Sequence, residues 1–316
     1  MNRLRSSSQQ GILAGVPRQA GYLFLSRQSG VTADLAEKAL RRLVGRLRFS
    51  SDESTALSNG AKKNASAALP VLGLSALFVQ ALGGQVAGLR TFPTFANAKV
   101  DLPITQSDLV VWLRGADQGE IFHAMRQLCA STDGALKVDT FVSAFKHRDG
   151  HDLSGFEDGT ENPKGAKAIA AALSEDGSSF LALQQWEHHF PRFDAISERA
   201  RNHAVGRDLK TNEELETAPA TSHVKRTAQE TFTPEAFLLR RSMPWVEGTR
   251  GGLMFTAFGR SFDAFEAQLK RMSGADDGKI DGLFGFTRPL GGGYYWCPPV
   301  QPDGALNLAA LNPLAQ

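Results

Sequence analysis

The sequence predicts an α+β protein made of two βαββαβ units, each with an antiparallel sheet. Its 316 residues are roughly twice the length of a typical single domain. Hydrophobic residues make up 42% and charged residues 22%, as in folded globular chains. Strand-like and helix-like apolar patterns also follow each other in the same order in both halves. We therefore expect one unit in residues 1–150 and the other in residues 151–316.

The first unit begins with the apolar run GYLFLS, which has the length of a strand. A helix follows, because Leu35, Ala39, Leu40 and Leu43 recur at helical spacing on one face. A second helix, from Gln118, follows two further apolar strands. The predicted elements are a strand at 21–26, a helix at 32–47, a polar loop at 48–66, strands at 71–79 and 109–113, a helix from residue 118 and an extended segment at 136–145.

The second unit repeats this order. Its last helix places Phe262, Phe265, Leu269 and Met272 on one face. The predicted elements are a strand at 179–186, an amphipathic stretch at 194–205, short strands at 237–240 and 253–258, a helix over 262–272 and a strand from residue 293. A βαββαβ order is typical of ferredoxin-like units, and two of them are the predicted architecture.

Charge and cysteine content argue against several classes of protein. With 35 Lys and Arg against 33 Asp and Glu, the net charge of +2 provides no strong field for nucleic acid. Cys129 and Cys297 form no C-x-x-C pair and no cluster with histidine, so neither a disulfide framework nor structural zinc is expected. These cysteines, together with an N-terminus that lacks a signal-peptide pattern, lead us to expect a cytoplasmic protein.

One uncharged stretch, residues 64–89, is long enough to span a bilayer. It contains Pro70 and four glycines, which would interrupt a membrane helix. We therefore expect a buried strand followed by a glycine-rich loop, and no membrane association.

The densest polar motif, GFEDGTENP at Gly155–Pro163, lies between the two units. Its two glycines allow the backbone to bend sharply and to approach a flat ligand closely. Asp158 stands directly before the second glycine, so the loop presents an acidic side chain on a turn. A turn that merely links the units would have the same composition, and the spacing alone leaves both interpretations open.

His223, in the segment TSHVKR after a polar loop, is the histidine best placed to bind a ligand. His147 and His151 are four residues apart but are separated by Asp149 and Gly150, which argues against a helical pair of metal ligands. A histidine in the position of His223 can equally be a hydrogen-bonded turn residue, and the pattern does not decide between these roles.

Two arginines, Arg240 and Arg241, end the apolar strand FLLRR. Successive strand residues face opposite sides, so only one of them can point into a given pocket while the other meets solvent or the edge of a ligand. A surface pair that closes the strand would look the same in the sequence.

Taken together, these three segments resemble the dye-decolorising peroxidases, bacterial haem enzymes made of two ferredoxin-like halves, and in particular their B-type members. The resemblance extends through most of the chain. Further matching stretches are GSSF at 177–180, LMFTAF at 253–258, DGLFGFTRP at 281–289 and GGGYYW at 291–296.

The resemblance implies one non-covalent haem b per chain, bound in the C-terminal half with His223 as the ligand of its iron. A histidine bound to iron usually donates its other N–H to a carboxylate, and Asp281 is the candidate for that carboxylate. Asp281 could equally be an ordinary turn residue. Arg207 and Arg241 are the candidates for binding the haem propionates.

On the other face of the haem, the resemblance assigns catalytic roles to Asp158 and Arg240, with Ser242 in the surrounding water network. Asp158 would move a proton between the oxygens of hydrogen peroxide, and Arg240 would supply positive charge where the leaving oxygen departs. Some relatives carry asparagine at the position of Ser242.

The implied function is reduction of hydrogen peroxide coupled to one-electron oxidation of a bulky reducing organic substrate, such as a dye or a porphyrinogen. Because such donors cannot enter a pocket sized for peroxide, oxidation at the haem edge or through Trp and Tyr relays is expected. The alternative is a haem-handling protein that binds haem or releases its iron, which would need His223 but not Asp158 and Arg240. We further expect a homo-oligomer with no nucleic-acid partner.

Overall fold

All strands pair antiparallel within one sheet in the computed structural model, which describes residues 2–49 and 69–311. The strands are β1 (Gln19–Arg27), β2 (Val71–Leu74), β3 (Leu109–Gly115), β4 (Leu136–Phe145), β5 (Ser179–His188), β6 (Leu239–Arg240), β7 (Met243–Glu247), β8 (Arg250–Gly259) and β9 (Thr287–Cys297). The helices are α1 (Asn2–Ser6), α2 (Gln10–Leu13), α3 (Ala33–Val44), α4 (Ala76–Ala81), α5 (Gln118–Ser131), α6 (Gly165–Ala172), α7 (Phe190–Ala195), α8 (Glu198–Val205), α9 (His223–Thr227) and α10 (Asp263–Met272). Short 3-10 helices lie at Gln229–Thr231, Gly282–Gly285 and Ala309–Leu311.

The sheet closes on itself as a ring. Its strand order is β5-β9-β2-β3-β1-β4-β7-β8, and β8 pairs in turn with β5. The two-residue strand β6 pairs with β8 on the same edge as β7 and in the same register. Closure removes the rows of unpaired N–H and C=O groups that the edges of an open sheet would expose.

Two short seams join the first four strands to the later ones. Leu74 of β2 pairs with Trp296 of β9, and Ala144 of β4 pairs with Trp245 of β7. The strand order is the same in the two groups, β2-β3-β1-β4 in the first and β7-β8-β5-β9 in the second. The prediction of separate sheets is therefore wrong, because each group supplies pairing partners for the edge strands of the other.

Apolar side chains fill the inside of the ring. Tyr22 on β1 stacks on Trp112 of β3 with 5.9 Å between ring centroids, and its hydroxyl lies 2.8 Å from Oγ1 of Thr256 on β8. Because β1 and β8 are not neighbours in the ring, this hydrogen bond crosses its interior. Trp245 and Phe258 belong to the same buried cluster.

A second core lies outside the ring, beneath the helices. Leu23 alternates with the inward-facing residues of β1 and so points to this side. Leu40 of α3, Ile121 of α5, and Phe265 and Leu269 of α10 belong to the same cluster. Helices α3, α5 and α10 therefore cover part of the outer face of the ring by burying one apolar stripe each.

Most predicted elements are confirmed; α5 begins at Gln118, for example, and β4 covers 136–145. The prediction of a strand over 71–79 is wrong beyond Leu74, because Ser75 accepts the N–H of Phe78 at 3.2 Å and caps α4. Strand β7 has no counterpart among the predicted elements, because its Pro244 argues against a strand interior. The polar loop predicted at 48–66 lies, apart from its first two residues, outside the described residues.

The uncharged stretch does not form a membrane helix where it is described. It contains the four-residue strand β2 and the six-residue helix α4. Among residues 2–49 and 69–311, no helix has the length and apolar character needed to cross a bilayer.

Candidate active site

The loop that carries Asp158 folds as a small hairpin. Bridges pair His147 with His151 and His151 with Glu157, and the N–H of Asp158 donates to the carbonyl of Gly150 at 2.9 Å. Gly159, the next residue, has φ +80°, a left-handed conformation that favours glycine. The hairpin therefore ends at Asp158.

Asp158 lies beside Arg240, with 3.8 Å between Oδ1 and Nη1. Both side chains are mostly buried, at 21% and 17% exposure. Asn162 fixes the backbone of Arg240 from both sides, since its Oδ1 accepts the N–H at 2.7 Å and its Nδ2 donates to the carbonyl at 3.1 Å. The acidic loop and the arginine strand, far apart in the sequence, are thus held together by side-chain to backbone hydrogen bonds.

His223 is the first residue of the short helix α9. Its Nδ1 lies 2.8 Å from Oδ2 of Asp281, a residue only 1% exposed, and Oδ1 of Asp281 accepts the N–H of Leu283 at 2.9 Å. Arg226, one turn further along α9, donates to both carboxylate oxygens of Asp277 at 2.7 and 2.8 Å. The helix that presents His223 is therefore anchored by two carboxylates from the segment that precedes β9.

His223, Asp158 and Arg240 line one cavity with an empty volume of about 920 Å³. Polar and apolar residues both line it, but apolar atoms contribute most of the wall surface, which is typical of a site for an organic cofactor. The other lining residues are Asp152, Ser154, Phe156, Glu157, Gln184, Trp186, His188, Val205, Thr227, Leu253, Phe255, Phe265, Gln268, Leu269, Met272, Leu283, Phe286 and Thr287.

The donor groups of this cavity fit haem. Of its two histidines, His188 uses both ring nitrogens, for Thr287 and Asp152, whereas His223 uses only Nδ1 among the described residues. The Nε2 atom of His223 is thus available to a metal. The side-chain nitrogen of Gln184 is buried in the same lining with no hydrogen-bond partner in the described part of the chain, so it has a donor to offer a bound ligand.

Comparison with known families covers both groups of strands. The model of the N-terminal region of Dyp-type peroxidases matches residues 9–146, and the model of their C-terminal region matches residues 149–302. The chain belongs to the Dyp-type peroxidase family. The resemblance identified in the sequence is confirmed.

Individual Dyp-type relatives agree with this family assignment. The dye-decolorizing peroxidase of Mycolicibacterium paratuberculosis is 27% identical over 230 residues, which cover 69% of this chain and 65% of that relative. A dye-decolorizing protein from V. cholerae superposes with a TM-score of 0.78 at 26% identity, covering 92% of this chain and 97% of that one. A putative Dyp-type peroxidase from Shewanella oneidensis superposes with a TM-score of 0.82 at 25% identity, covering 93% of this chain and 96% of that one.

Four residues predicted for the site of this Dyp-type peroxidase lie outside the lining of the large cavity, and one of them, Asp281, contacts Nδ1 of the lining residue His223. Arg207 donates to Glu161 at 2.9 Å and to the carbonyl of Asn212 at 3.0 Å. Arg241, which is partly exposed, donates to the carbonyls of residues 13, 14 and 240 and does not line the large cavity. Ser242 lines a smaller adjoining cavity of about 420 Å³, which also contains Asp158 and Arg240.

Sequence reasoning missed most of the cavity wall, including Asp152, Gln184, Trp186 and His188. Gln184, Trp186 and His188 alternate along β5, so the period of the strand would have placed them on one face once that face was known to line a site. Asp152 precedes the recognised glycine loop by three residues. Only its contact with His188, 36 residues away, makes it part of the site.

Proposed function

We propose that this Dyp-type peroxidase binds one haem b per chain and uses it to reduce hydrogen peroxide while oxidising a bulky organic donor one electron at a time. The observation that carries the proposal is the single cavity that contains a histidine with a free Nε2, backed by a buried carboxylate, together with an Asp–Arg pair. Haem binding alone would need the histidine but not the pair.

His223 and the apolar walls would hold the cofactor. The Nδ1–H of His223 donates to Asp281, which fixes the ring and makes Nε2 a stronger ligand. Aromatic side chains, among them Phe156, Phe255 and Phe286, provide flat apolar surface and exclude water. When bound, haem supplies the two-electron reduction of peroxide and the one-electron oxidations of the donor.

Asp158 and Arg240 would handle the proton and the charge of hydrogen peroxide. The carboxylate of Asp158 takes a proton from one peroxide oxygen and returns it to the other, which leaves as water. The guanidinium of Arg240, 3.8 Å away, stabilises the negative charge that develops on the leaving oxygen. Because Asn162 holds the Arg240 backbone, this charge is in place before peroxide arrives.

The repeated strand order supports the finer architecture, two ferredoxin-like halves at 1–150 and 151–316 with haem in the second. In each group the second, third, first and fourth strands lie side by side, the order expected of a βαββαβ unit. All residues that line the large cavity fall between Asp152 and Thr287, and so belong to the second half. The cavity is therefore lined by residues of the second half only, although strands of both halves form the closed sheet.

The donor, the assembly and the compartment remain proposals. Trp186 lines the large cavity, which makes it the first tryptophan to consider as a relay for donors that cannot enter. Cys129 and Cys297 both carry free thiols, as expected of a protein of the reducing cytoplasm. A homo-oligomer is expected from the resemblance, and light scattering of the purified protein tests it.

Absorption spectra of the haem-loaded protein, before and after one equivalent of hydrogen peroxide, test the function. We expect a rapid change in the wild type that a reducing dye reverses, and at least a hundredfold slower change in Asp158→Asn and Arg240→Leu, on the order of what one catalytic polar group supplies. Haem release, or stable haem that does not respond to peroxide, would favour the haem-handling alternative.

A further inference from the structure

The wall of the large cavity contains a buried pair, His188 and Asp152, that has no part in the proposed steps. His188 ends β5, and Asp152 lies in the hairpin that leads to Asp158. Their Nε2 and Oδ1 atoms are 2.9 Å apart, and the two side chains are only 6% and 13% exposed. At this distance the two side chains form a hydrogen bond, so a hydrogen lies either on Nε2 of His188 or on Oδ1 of Asp152.

The neighbouring hydrogen bonds determine where those protons are. The hydroxyl of Thr287 donates to the carbonyl of Glu187 at 2.9 Å, which uses its single proton. Its oxygen also lies 3.0 Å from Nδ1 of His188, so Nδ1 must carry a hydrogen and donate it. The imidazole of His188 therefore carries a hydrogen on Nδ1, the nitrogen that faces Thr287.

The hydrogen bond to Asp152 requires a second hydrogen on the imidazole of His188, on Nε2. Its Oδ2 accepts both the N–H and the hydroxyl of Ser154, the former at 3.0 Å. Burial raises the pKa of Asp152, but the hydrogen bond and charge of His188 and the bonds from Ser154 outweigh it, so that the pKa lies below its ordinary value. An ionised carboxylate only accepts, and Nε2 of His188 must therefore donate to it.

The pair of His188 and Asp152 holds the tip of the hairpin against strand β5 of the closed sheet. Asp152 donates its N–H to the carbonyl of Phe156 at 2.8 Å, and its own carbonyl accepts the N–H of Gly155 at 3.0 Å. Asp158 follows on the returning arm, bonded to the carbonyl of Gly150. Since β5 is paired on both sides within the ring, His188 offers a fixed point from which this loop is positioned.

We infer that His188 and Asp152 form a buried ion pair, with His188 protonated on both ring nitrogens, that positions Asp158. The positioning role rests on the proposed function, whereas the charge state rests on the hydrogen-bond geometry together with the lowered pKa of Asp152. Neither residue is assigned a contact with peroxide. Both act through the hairpin.

Neutron diffraction from deuterated crystals of the haem-loaded wild type at pH 7 tests the charge state without any substitution. We expect deuterium on both Nδ1 and Nε2 of His188 and none on Asp152. A single deuterium on the ring, or one on the carboxylate, would overturn the ion pair. Failure of the protein to react with peroxide would refute the proposed function but leave this result unchanged.

Hydrogen exchange of the segment 150–159, measured by mass spectrometry, tests positioning. In Asp152→Asn we expect at least tenfold faster exchange there, unchanged exchange in the ring strands, an unchanged haem spectrum and a peroxide step slowed by about 10²-fold, as expected when a catalytic group is misplaced. Asp152→Glu, which restores the charge, should recover part of both effects. Asp149→Asn removes an exposed carboxylate from the same hairpin and is the matched control.

Two outcomes would contradict the positioning role. One is exchange at 150–159 that is equal in Asp152→Asn, Asp149→Asn and the wild type. The other is a haem-loaded Asp152→Glu variant that is no better than Asp152→Asn in both exchange and rate, since the restored charge would then have no effect.

Discussion

The Nδ1 atom of His223 lies 2.8 Å from a carboxylate oxygen of Asp281 whose side chain is fully buried. The other carboxylate oxygen is bonded to the backbone N–H of Leu283, so the carboxylate cannot turn away. A five-residue helix would not by itself fix the orientation of the ring it begins with. The direction in which Nε2 points therefore depends on Asp281 as much as on α9.

Replacing Asp281 should alter the electronic properties of the haem more than its retention. Asp281→Asn keeps an acceptor near Nδ1 but removes the negative charge that makes the histidine a stronger donor, so the Fe(III)/Fe(II) reduction potential should rise. Spectroelectrochemistry of the loaded variant measures it. His223→Ala should lose the histidine-ligated spectrum. Asp276→Asn, which changes an exposed carboxylate nearby, should leave the potential unchanged.

The adjacent residues Arg240 and Arg241 should affect different quantities when each is changed to leucine, the rate of the peroxide step for Arg240 and the unfolding free energy for Arg241. Arg240→Leu should slow the peroxide step by ~10²-fold or more with haem binding retained, because it removes the charge beside Asp158. Arg241→Leu should keep the rate but lower the unfolding free energy by about 1–3 kcal/mol, since the carbonyls of residues 13 and 14 lose their donor. Stopped-flow kinetics and urea denaturation separate the two, and equal losses of rate would contradict the assignment.

Asn162 should prove to be a positioning residue. Asn162→Ala removes the side-chain acceptor of the Arg240 N–H and one of the two side-chain donors to the Arg240 carbonyl, the other being Arg241, which should cost about 1–3 kcal/mol and loosen the guanidinium. We expect a slower peroxide step with an unchanged haem spectrum. Asn162→Asp can still accept the N–H of Arg240 but cannot donate to its carbonyl. Its peroxide step should therefore have a rate between those of the wild type and Asn162→Ala. A wild-type rate in Asn162→Ala would show that Arg240 is held by other contacts.

The anchor of α9 should make stability depend on pH. Hydrogen bonds from Arg226 hold the pKa of Asp277 at about 2, below its ordinary 3.8. A depressed carboxylate pKa stabilises the fold above the unfolded value, and that stability is lost as the pH falls through the folded value. Asp277→Asn should thus be less stable than the wild type at pH 7, with the difference shrinking between about pH 4 and pH 2. Urea denaturation across this range measures it, with Asp276→Asn expected to show no such trend.

The sequence predicted the elements and motifs well, but it could not predict their closure into one ring. Apolar periodicity located most strands, and the spacing of GFEDGTENP, His223 and FLLRR identified the residues that meet in the cavity. The seam pairs Leu74 with Trp296 and Ala144 with Trp245 join residues far apart in the chain, and no local pattern encodes them. For the same reason His188 and Asp152 escaped notice.

Arg241 shows the limit of the strand-face argument. Alternation correctly separates it from Arg240, since the two side chains lie in different surroundings. The segment after α2 lies on the Arg241 side of the strand and accepts hydrogen bonds from its guanidinium, a contact that alternation could not predict. The covering segment comes from the other end of the sequence, where strand periodicity gives no information.

Strand β9 is the last strand in residues 2–49 and 69–311, yet in the ring it lies between β5 and β2. On the ribosome, His223 therefore emerges well before Asp281, and both precede the strand that joins the two groups along that seam. A nascent chain that ends before β9 can pair all four strands of its first group while the wall that contains Thr287 is still missing. A chain that stops before residue 287 therefore lacks part of the cavity wall even when every strand of its first group is intact, and we expect such a chain not to retain the cofactor.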